Sequence, residues 1–181
     1  MNKDVYVRGN VLKLYKEYVI ETFGQERYDV MMQKLDPENR DIMAKPLLSG
    51  EWYPVTAMQD FLNVFDVVIG RRYMKDVAAY TCDKQMKGLY GYVARFFSYK
   101  RLVEVSSKLF EKFYKGATVE LEKVDESEAI IRIDGMDMPD SQLYGALFYI
   151  EHLIQLTREG KIISRPKKFD SNTVRLYYTL L

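Results

Sequence analysis

The sequence has very few of the residues that build metal or thiol chemistry. Cys82 is its single cysteine and His152 its single histidine among 181 residues. An internal disulfide needs two cysteines, and a structural zinc site needs a full set of Cys and His ligands. The chain by itself therefore forms neither of them, and most classes of metalloenzyme are disfavoured.

Charge of one sign and long apolar runs are lacking as well. The chain carries 27 Lys and Arg residues against 26 Asp and Glu residues, a net charge of +1. No global field therefore attracts it to nucleic acid or to an anionic membrane. Apolar runs such as 146–150 stop well short of the ~20 residues that span a bilayer, and the charged first residues do not form a secretory signal. We expect a cytoplasmic protein with no nucleic-acid partner and no membrane span.

Motifs for phosphate binding and for nucleophilic catalysis are absent. The sequence has no glycine-rich phosphate loop, and His152 has no Ser or Cys nucleophile at a recognisable spacing. Cys82 is interpreted as an incidental thiol. Asp134, Asp137 and Asp140 recur at every third position, but this spacing differs from that of an EF-hand and is typical of a loop that caps a helix. We expect no catalytic residue, no metal site and no cofactor, and hence a protein that is not an enzyme.

The sequence does contain enough apolar material for a packed core. Hydrophobic residues make up 48% of it and charged residues 29%, as in folded domains. At roughly 150 residues per domain, the length predicts a single domain over 1–181. Its hydrophobic period changes near residue 116, which predicts a helical part at 1–116 and a sheet-plus-helix part at 117–181.

The first part has the apolar spacing of a helical bundle. A helix is predicted from residue 11 to Gly24, and Asp36-Pro37-Glu38 predicts the start of another. Pro54 opens the clearest helix, which runs to Gly70. Further helical patterns cover residues 71–97 and 98–116.

The second part alternates as strands do. Residues 119–133 predict a hairpin, a helix follows from Pro139 to near Gly160, and residues 162–180 predict a second hairpin. This order implies an antiparallel sheet of about four strands with the helix on its apolar face. The predicted fold class is α+β.

Aromatic residues are numerous, with fifteen tyrosines and nine phenylalanines. Such residues fill a core by default, and a surplus can line an apolar pocket or a protein interface. The sequence does not separate the core role from the pocket role. The candidates for either one are Trp52, Tyr53, Phe61, Phe65, Tyr92 and Phe96.

The Trp-Tyr-Pro segment at the start of the clearest helix is predicted to be structural. Pro54 would fix φ in the first helical turn, and Trp52 would pack back on the helix as a hydrophobic staple. If the indole is buried, Trp52→Ala is expected to cost roughly 3 to 5 kcal/mol of stability.

A resemblance to a known family rests on the segment Gly50-Glu51-Trp52-Tyr53-Pro54-Val55, on the long helix after it, and on the segment Phe110-Glu111-Lys112-Phe113-Tyr114-Lys115-Gly116. On these features the chain resembles an uncharacterised bacterial family expanded in myxobacteria. That family is similar in outline to the haem-nitric-oxide-binding, 4-vinyl-reductase and Bet3-like group. The resemblance implies helices packed beside a hairpin-helix-hairpin unit, with an apolar pocket between the two parts.

Two features of the group are missing from this sequence. Haem-binding members have a proximal histidine and a Tyr-x-Ser-x-Arg motif for the haem propionates, whereas this chain lacks the motif and has His152 in its late helix. Ser164 and Asn172 occupy the region where other members of the group carry cysteines. The resemblance therefore implies neither bound haem nor a thiol-based metal site.

Two functions are compatible with these features. The first is a non-enzymatic sensory or regulatory module that binds a small apolar or amphipathic ligand between helices and sheet. The alternative is a ligand-free protein-interaction module, a homodimer, because the helices carry apolar residues on more than one side.

Overall fold

The fold is known from a computed structural model that describes residues 4–87, 101, 108, 110–125, 127–156, 162–168, 170 and 172–180. The predicted helical pattern at 71–97 can therefore be compared only as far as residue 87. Most of the pattern at 98–116 lies outside the described residues, as do Tyr92 and Phe96.

The amino-terminal part consists mainly of helices, with two short strands among them. In chain order these elements are β1 (Tyr6–Arg8), α1 (Gly9–Phe23), α2 (Gln25–Lys34), α3 (Pro37–Ala44), β2 (Trp52–Pro54), α4 (Val55–Phe65) and α5 (Met74–Gln85). A π-helical turn at Asp66–Gly70 and a 3₁₀ turn at Arg71–Tyr73 join α4 to α5.

The predicted helix boundaries agree with these elements where glycine or proline marks them. The helix α1 ends before Gly24, whose φ of 84° favours glycine. Pro37 is the first residue of α3, directly after Asp36. The helix α2 was not predicted, because only Tyr28 and Met31 of its ten residues are buried and such a helix shows little apolar periodicity.

A small antiparallel sheet of order β2-β1-β3 was also not predicted; β3 is Tyr114–Lys115. The central residue Val7 is fully buried and pairs with Tyr53 on one side and Tyr114 on the other. Strands of two or three residues are too short for a two-residue alternation to be visible. The Trp-Tyr-Pro segment, expected at a helix start, is therefore the strand β2, and α4 begins one residue later.

The carboxy-terminal part is the predicted hairpin-helix-hairpin unit. Its elements are β4 (Thr118–Val124), β5 (Glu128–Asp134), α6 (Asp140–Gln155), β6 (Ile162–Lys168) and β7 (Thr173–Leu180). The strands form an antiparallel sheet of order β4-β5-β7-β6. The predictions of an α+β fold and of a four-stranded sheet are confirmed.

The helix α6 lies between the sheet and the helical part. The hydroxyl of Tyr178, on the buried face of β7, donates to the carbonyl oxygen of Leu147 in α6 at 3.2 Å. On the other side of α6, Ser141 contacts Asn63 of α4 through a hydrogen bond. The helix therefore connects the two parts. Among the described residues, every helix is too short or too polar to span a bilayer.

Candidate functional site: an apolar cavity between helices and sheet

A cavity of about 70 Å³ lies where α1, α5, α6 and the four-stranded sheet meet. Its walls are mostly apolar side chains, interrupted by a few hydroxyl and amide groups. The described lining residues are Val11, Tyr15, Thr81, Gln85, Phe110, Phe113, Tyr114, Val119, Ile131, Ile133, Met136, Met138, Gln142, Gly145, Ala146, Tyr149 and Ile150.

The local spacing of the sequence explains why these residues converge. Val11 and Tyr15 are four residues apart on α1 and share one helix face. Ile131 and Ile133 are two residues apart on β5 and point to the same face of the sheet. On α6, Gly145 faces α4, and a Cβ at this position would lie at an ordinary van der Waals distance, 3.9 Å, from Leu62 Cδ1.

Three tyrosines contribute phenol hydroxyl groups to the lining of this cavity. Tyr149 donates to Oε1 of Gln85 at 2.7 Å, and the hydroxyl of Tyr114 lies 3.4 Å from the sulfur of Met58. Tyr15 is 8% exposed, and its hydroxyl has no hydrogen-bond partner among the described residues. The cavity is therefore bordered by one phenol hydroxyl that has no partner among the described residues and is not sealed from the cavity space.

Burial keeps these phenols protonated. It raises the pKa of Tyr15 to about 12, and burial followed by the neighbouring Tyr15 raises the pKa of Tyr114 well above its ordinary value. The pKa of Tyr149 is also raised well above its ordinary value, first by burial and then by its neighbours Cys82, Tyr15 and Tyr114. Burial also raises the pKa of the Cys82 thiol to about 12. At neutral pH all four groups are uncharged and can act only as hydrogen-bonding groups.

The described lining residues include no Lys, Arg, His, Asp or Glu. An ion transferred into apolar surroundings needs a partner of opposite charge or a dense set of hydrogen bonds. The described walls supply neither. The cavity is suited to an uncharged molecule.

The residues proposed from the sequence are placed elsewhere. Phe61 and Phe65 are fully buried in the core and are not among the lining residues. Trp52 and Tyr53 are half-buried on β2, with the Arg8 guanidinium 3.9 Å above the Trp52 ring centroid. The indole, expected to be buried against the helix, is therefore only half-buried, and one face of its ring is covered by the Arg8 guanidinium.

The cavity tyrosines were not singled out from the sequence. Tyr15 and Tyr149 lie on the apolar faces of predicted helices, where an aromatic ring indicates core packing and nothing marks its hydroxyl. Tyr114 lies in the two-residue strand β3, whose pairing depends on residues more than a hundred positions away. The surplus of tyrosine was the one available signal, and it does not identify positions.

The other singled-out residues have structural partners. His152 Nε2 lies 2.9 Å from Oδ1 of Asp83 across the α5–α6 contact. Asp134 pairs with Arg132 at 2.8 Å, and Asp137 pairs with Lys168 at 3.0 Å. The part of the chain that the structure describes contains no group of three His, Cys, Asp or Glu residues that could hold a metal ion.

Solved structures similar to this one are H-NOX proteins. A variant of the Fe(II) unliganded protein from K. algicida has a TM-score of 0.70 and 11% identity, covering 95% of both chains. The Fe(II)NO form from S. oneidensis has a TM-score of 0.67 and 10% identity, covering 96% of this chain and 99% of that one. The Fe(II)CO form from Shewanella woodyi has a TM-score of 0.65 and 8% identity, covering 96% and 94%. No family model matches the sequence, and no curated protein matches it.

Haem, which is named for a further similar structure from the H-NOX family, does not fit the residues found here. His152 pairs with Asp83 and is not among the lining residues, and no described lining residue is a cation that could neutralise a propionate. This chain therefore has the H-NOX fold, with a cavity whose described walls do not suit haem.

Proposed function

We propose that this protein is a sensory or regulatory module that binds a small, uncharged, mostly apolar ligand in the cavity between α1, α5, α6 and the sheet. The observation that carries the proposal is the cavity itself, whose described lining is apolar and free of charged residues. Fold likeness alone does not establish a function. It adds that similar folds have been solved with NO or CO on iron.

The size of the cavity limits the ligand. A cavity needs roughly 10 to 15 Å³ of probe-occupied space to hold one water, so about 70 Å³ suits a few waters or a small organic molecule. Water gains little beside walls of Ile, Val, Met and Phe. An apolar ligand gains roughly 25 cal/mol for each Å² that it removes from water, which favours its entry.

The proposed role does not include catalysis. The phenols and the thiol near the cavity are held in their neutral forms by burial, so none of them is an activated nucleophile. A general base must lie within hydrogen-bond reach of the proton that it removes. The described walls contain no carboxylate or imidazole in such a position.

The binding proposal can be tested with 2-methylpropene, which has four carbon atoms and no polar group. Methyl NMR spectra of the full chain report directly on the cavity, because Val11, Ile131, Ile133, Met136 and Met138 line it. We expect saturable shifts of these methyl resonances. Ala146→Leu places a larger side chain in the cavity wall and should abolish the shifts.

Ala44→Leu is the matched control, because Ala44 is an exposed residue at the end of α3 and does not line the cavity. This variant should bind the probe as the original chain does. If the original chain shows no saturable shifts, or if Ala146→Leu binds as well as Ala44→Leu, the cavity is not a ligand site and the proposal is wrong.

The alternative function, homodimerisation, rests on the sequence. Among the described residues, the exposed large hydrophobic side chains are Leu48, Val67 and Ile163, which lie on three different segments of the chain. They do not by themselves favour one helical interface. Sedimentation at tens of micromolar protein distinguishes a monomer from a dimer. Two further expectations stay predictions. One is the relationship to the myxobacterial family and to the 4-vinyl-reductase and Bet3-like proteins, and the other is a cytoplasmic location.

A further inference from the structure

The hydroxyl of Tyr15 differs from the other polar groups around the cavity. The Tyr149 hydroxyl already donates to Gln85, and the Tyr114 hydroxyl lies against the sulfur of Met58. The Thr81 hydroxyl donates to the carbonyl oxygen of Val77 one turn earlier in α5. Tyr15 is therefore the one hydroxyl among the described lining residues that has no partner.

The Tyr15 hydroxyl opens into the cavity and is not sealed in the core. Among the described residues, the sealed side-chain atom without a hydrogen-bond partner is Asn10 Oδ1. A donor that borders a cavity in this way commonly serves a ligand or an ordered water. The ring of Tyr15 is held in place by the core, since it stacks on Phe61 with the ring centroids 6.4 Å apart. Its hydroxyl position is thus fixed before any ligand enters, which lowers the entropic cost of forming a hydrogen bond there.

We propose that the ligand carries an uncharged oxygen acceptor, such as a ketone, aldehyde or ether oxygen, and that Tyr15 donates a hydrogen bond to it. This inference rests on the proposed function and names the chemical class of the ligand.

Two other classes of ligand are less suited to the site. A carboxylate would bring a charge into walls that contain no described Lys, Arg or His, and an unpaired buried charge is strongly unfavourable. A ligand with only a donor would leave the Tyr15 O–H unpaired. A purely apolar ligand would also leave it unpaired, after displacing any water that satisfied it.

An isosteric pair of probes tests the inference. Acetone and 2-methylpropene have the same planar shape, and only acetone carries an oxygen acceptor. Each is titrated into the full chain and its variants, and dissociation constants are taken from the methyl shifts of the cavity residues. Tyr15→Phe should weaken acetone binding about three- to tenfold, as expected for the loss of one neutral hydrogen bond. Binding of 2-methylpropene should change less than about twofold, because it forms no such bond.

Tyr18→Phe is the matched control. Tyr18 lies on the same helix and is also buried, but it does not line the cavity. This variant should change neither dissociation constant. Thermal unfolding of both variants establishes that each is folded, and Tyr15→Phe should not lower the midpoint, because the hydroxyl that it removes has no described partner.

The outcomes separate the two proposals. If neither probe binds the original chain, the proposed function is wrong and this inference is wrong with it. If 2-methylpropene binds but acetone does not, or if Tyr15→Phe affects both probes equally, the cavity remains a ligand site. Tyr15 is then not the donor that selects the ligand.

Discussion

The carboxylate of Glu151 in α6 accepts a hydrogen bond from the ammonium group of Lys75 in α5, with Nζ and Oε1 2.6 Å apart. The Glu151 side chain is 6% exposed, whereas that of Lys75 is 54% exposed. Ser164 of β6 donates a second hydrogen bond to the same carboxylate. One buried carboxylate therefore joins the helical part to the sheet.

Removing the partner of this carboxylate should destabilise the fold. In Lys75→Met, the buried charge of Glu151 loses its ion pair but keeps Ser164, and we expect a loss of about 1 to 3 kcal/mol in the free energy of unfolding. Urea unfolding measures it. Lys13→Met is the control, because Lys13 forms an exposed pair with Glu17 at 3.8 Å and should cost less than about 1 kcal/mol. If the two substitutions lower the free energy of unfolding equally, the ion pair of Glu151 stabilises the fold no more than an exposed pair does.

Haem binding provides a spectroscopic prediction. Haemin added to the protein should give no sharp Soret band at one equivalent, because the described walls offer no histidine and no cation. His152→Ala should give the same spectrum as the original chain, since His152 pairs with Asp83 and does not line the cavity. If the original chain gives a stoichiometric spectrum of histidine-ligated haem and His152→Ala abolishes it, the conclusion that this chain does not suit haem is wrong.

The sequence predicts the parts of this fold that are long and amphipathic. The strands β4 and β5 alternate over seven residues each, and Gly24 and Pro37 mark helix boundaries through their backbone preferences. The cavity could not be predicted in the same way. It depends on Tyr15, Tyr114 and Tyr149, which lie far apart in the chain and meet only after the small sheet has formed and α6 has packed.

The partial burial of Trp52 lowers the loss of stability that is expected from its substitution. Because the indole is half-buried beneath Arg8, Trp52→Ala should cost about 1 to 2 kcal/mol, below the ~3 to 5 kcal/mol typical of a fully buried large aromatic. A double-mutant cycle with Arg8→Ala should give a coupling free energy of about 0.5 to 1 kcal/mol. No measurable coupling would mean that the guanidinium does not stabilise the ring.

Alkaline pH should reveal the buried phenols. Burial raises the pKa of Tyr15 from 10.0 to about 12, so the folded state holds the proton more tightly than the unfolded state does. The stability contributed by the protonated phenol is fully present below about pH 10 and is lost as the pH rises towards 12. Within this window, each buried tyrosine with such a raised pKa lowers the free energy of unfolding by about 1.4 kcal/mol per pH unit.

Tyr15→Phe isolates this contribution, since Tyr18 and Tyr28 have pKa values raised in the same way to about 12 and remain in the variant. Urea unfolding at several pH values from neutral to strongly alkaline should show a shallower decline in stability for Tyr15→Phe than for the original chain. Near-ultraviolet absorbance should show one phenol fewer ionising at the unfolding transition. If both proteins lose stability with the same slope, Tyr15 is accessible to solvent. A solvated Tyr15 hydroxyl would have water as a partner, and it would no longer favour a ligand with an oxygen acceptor.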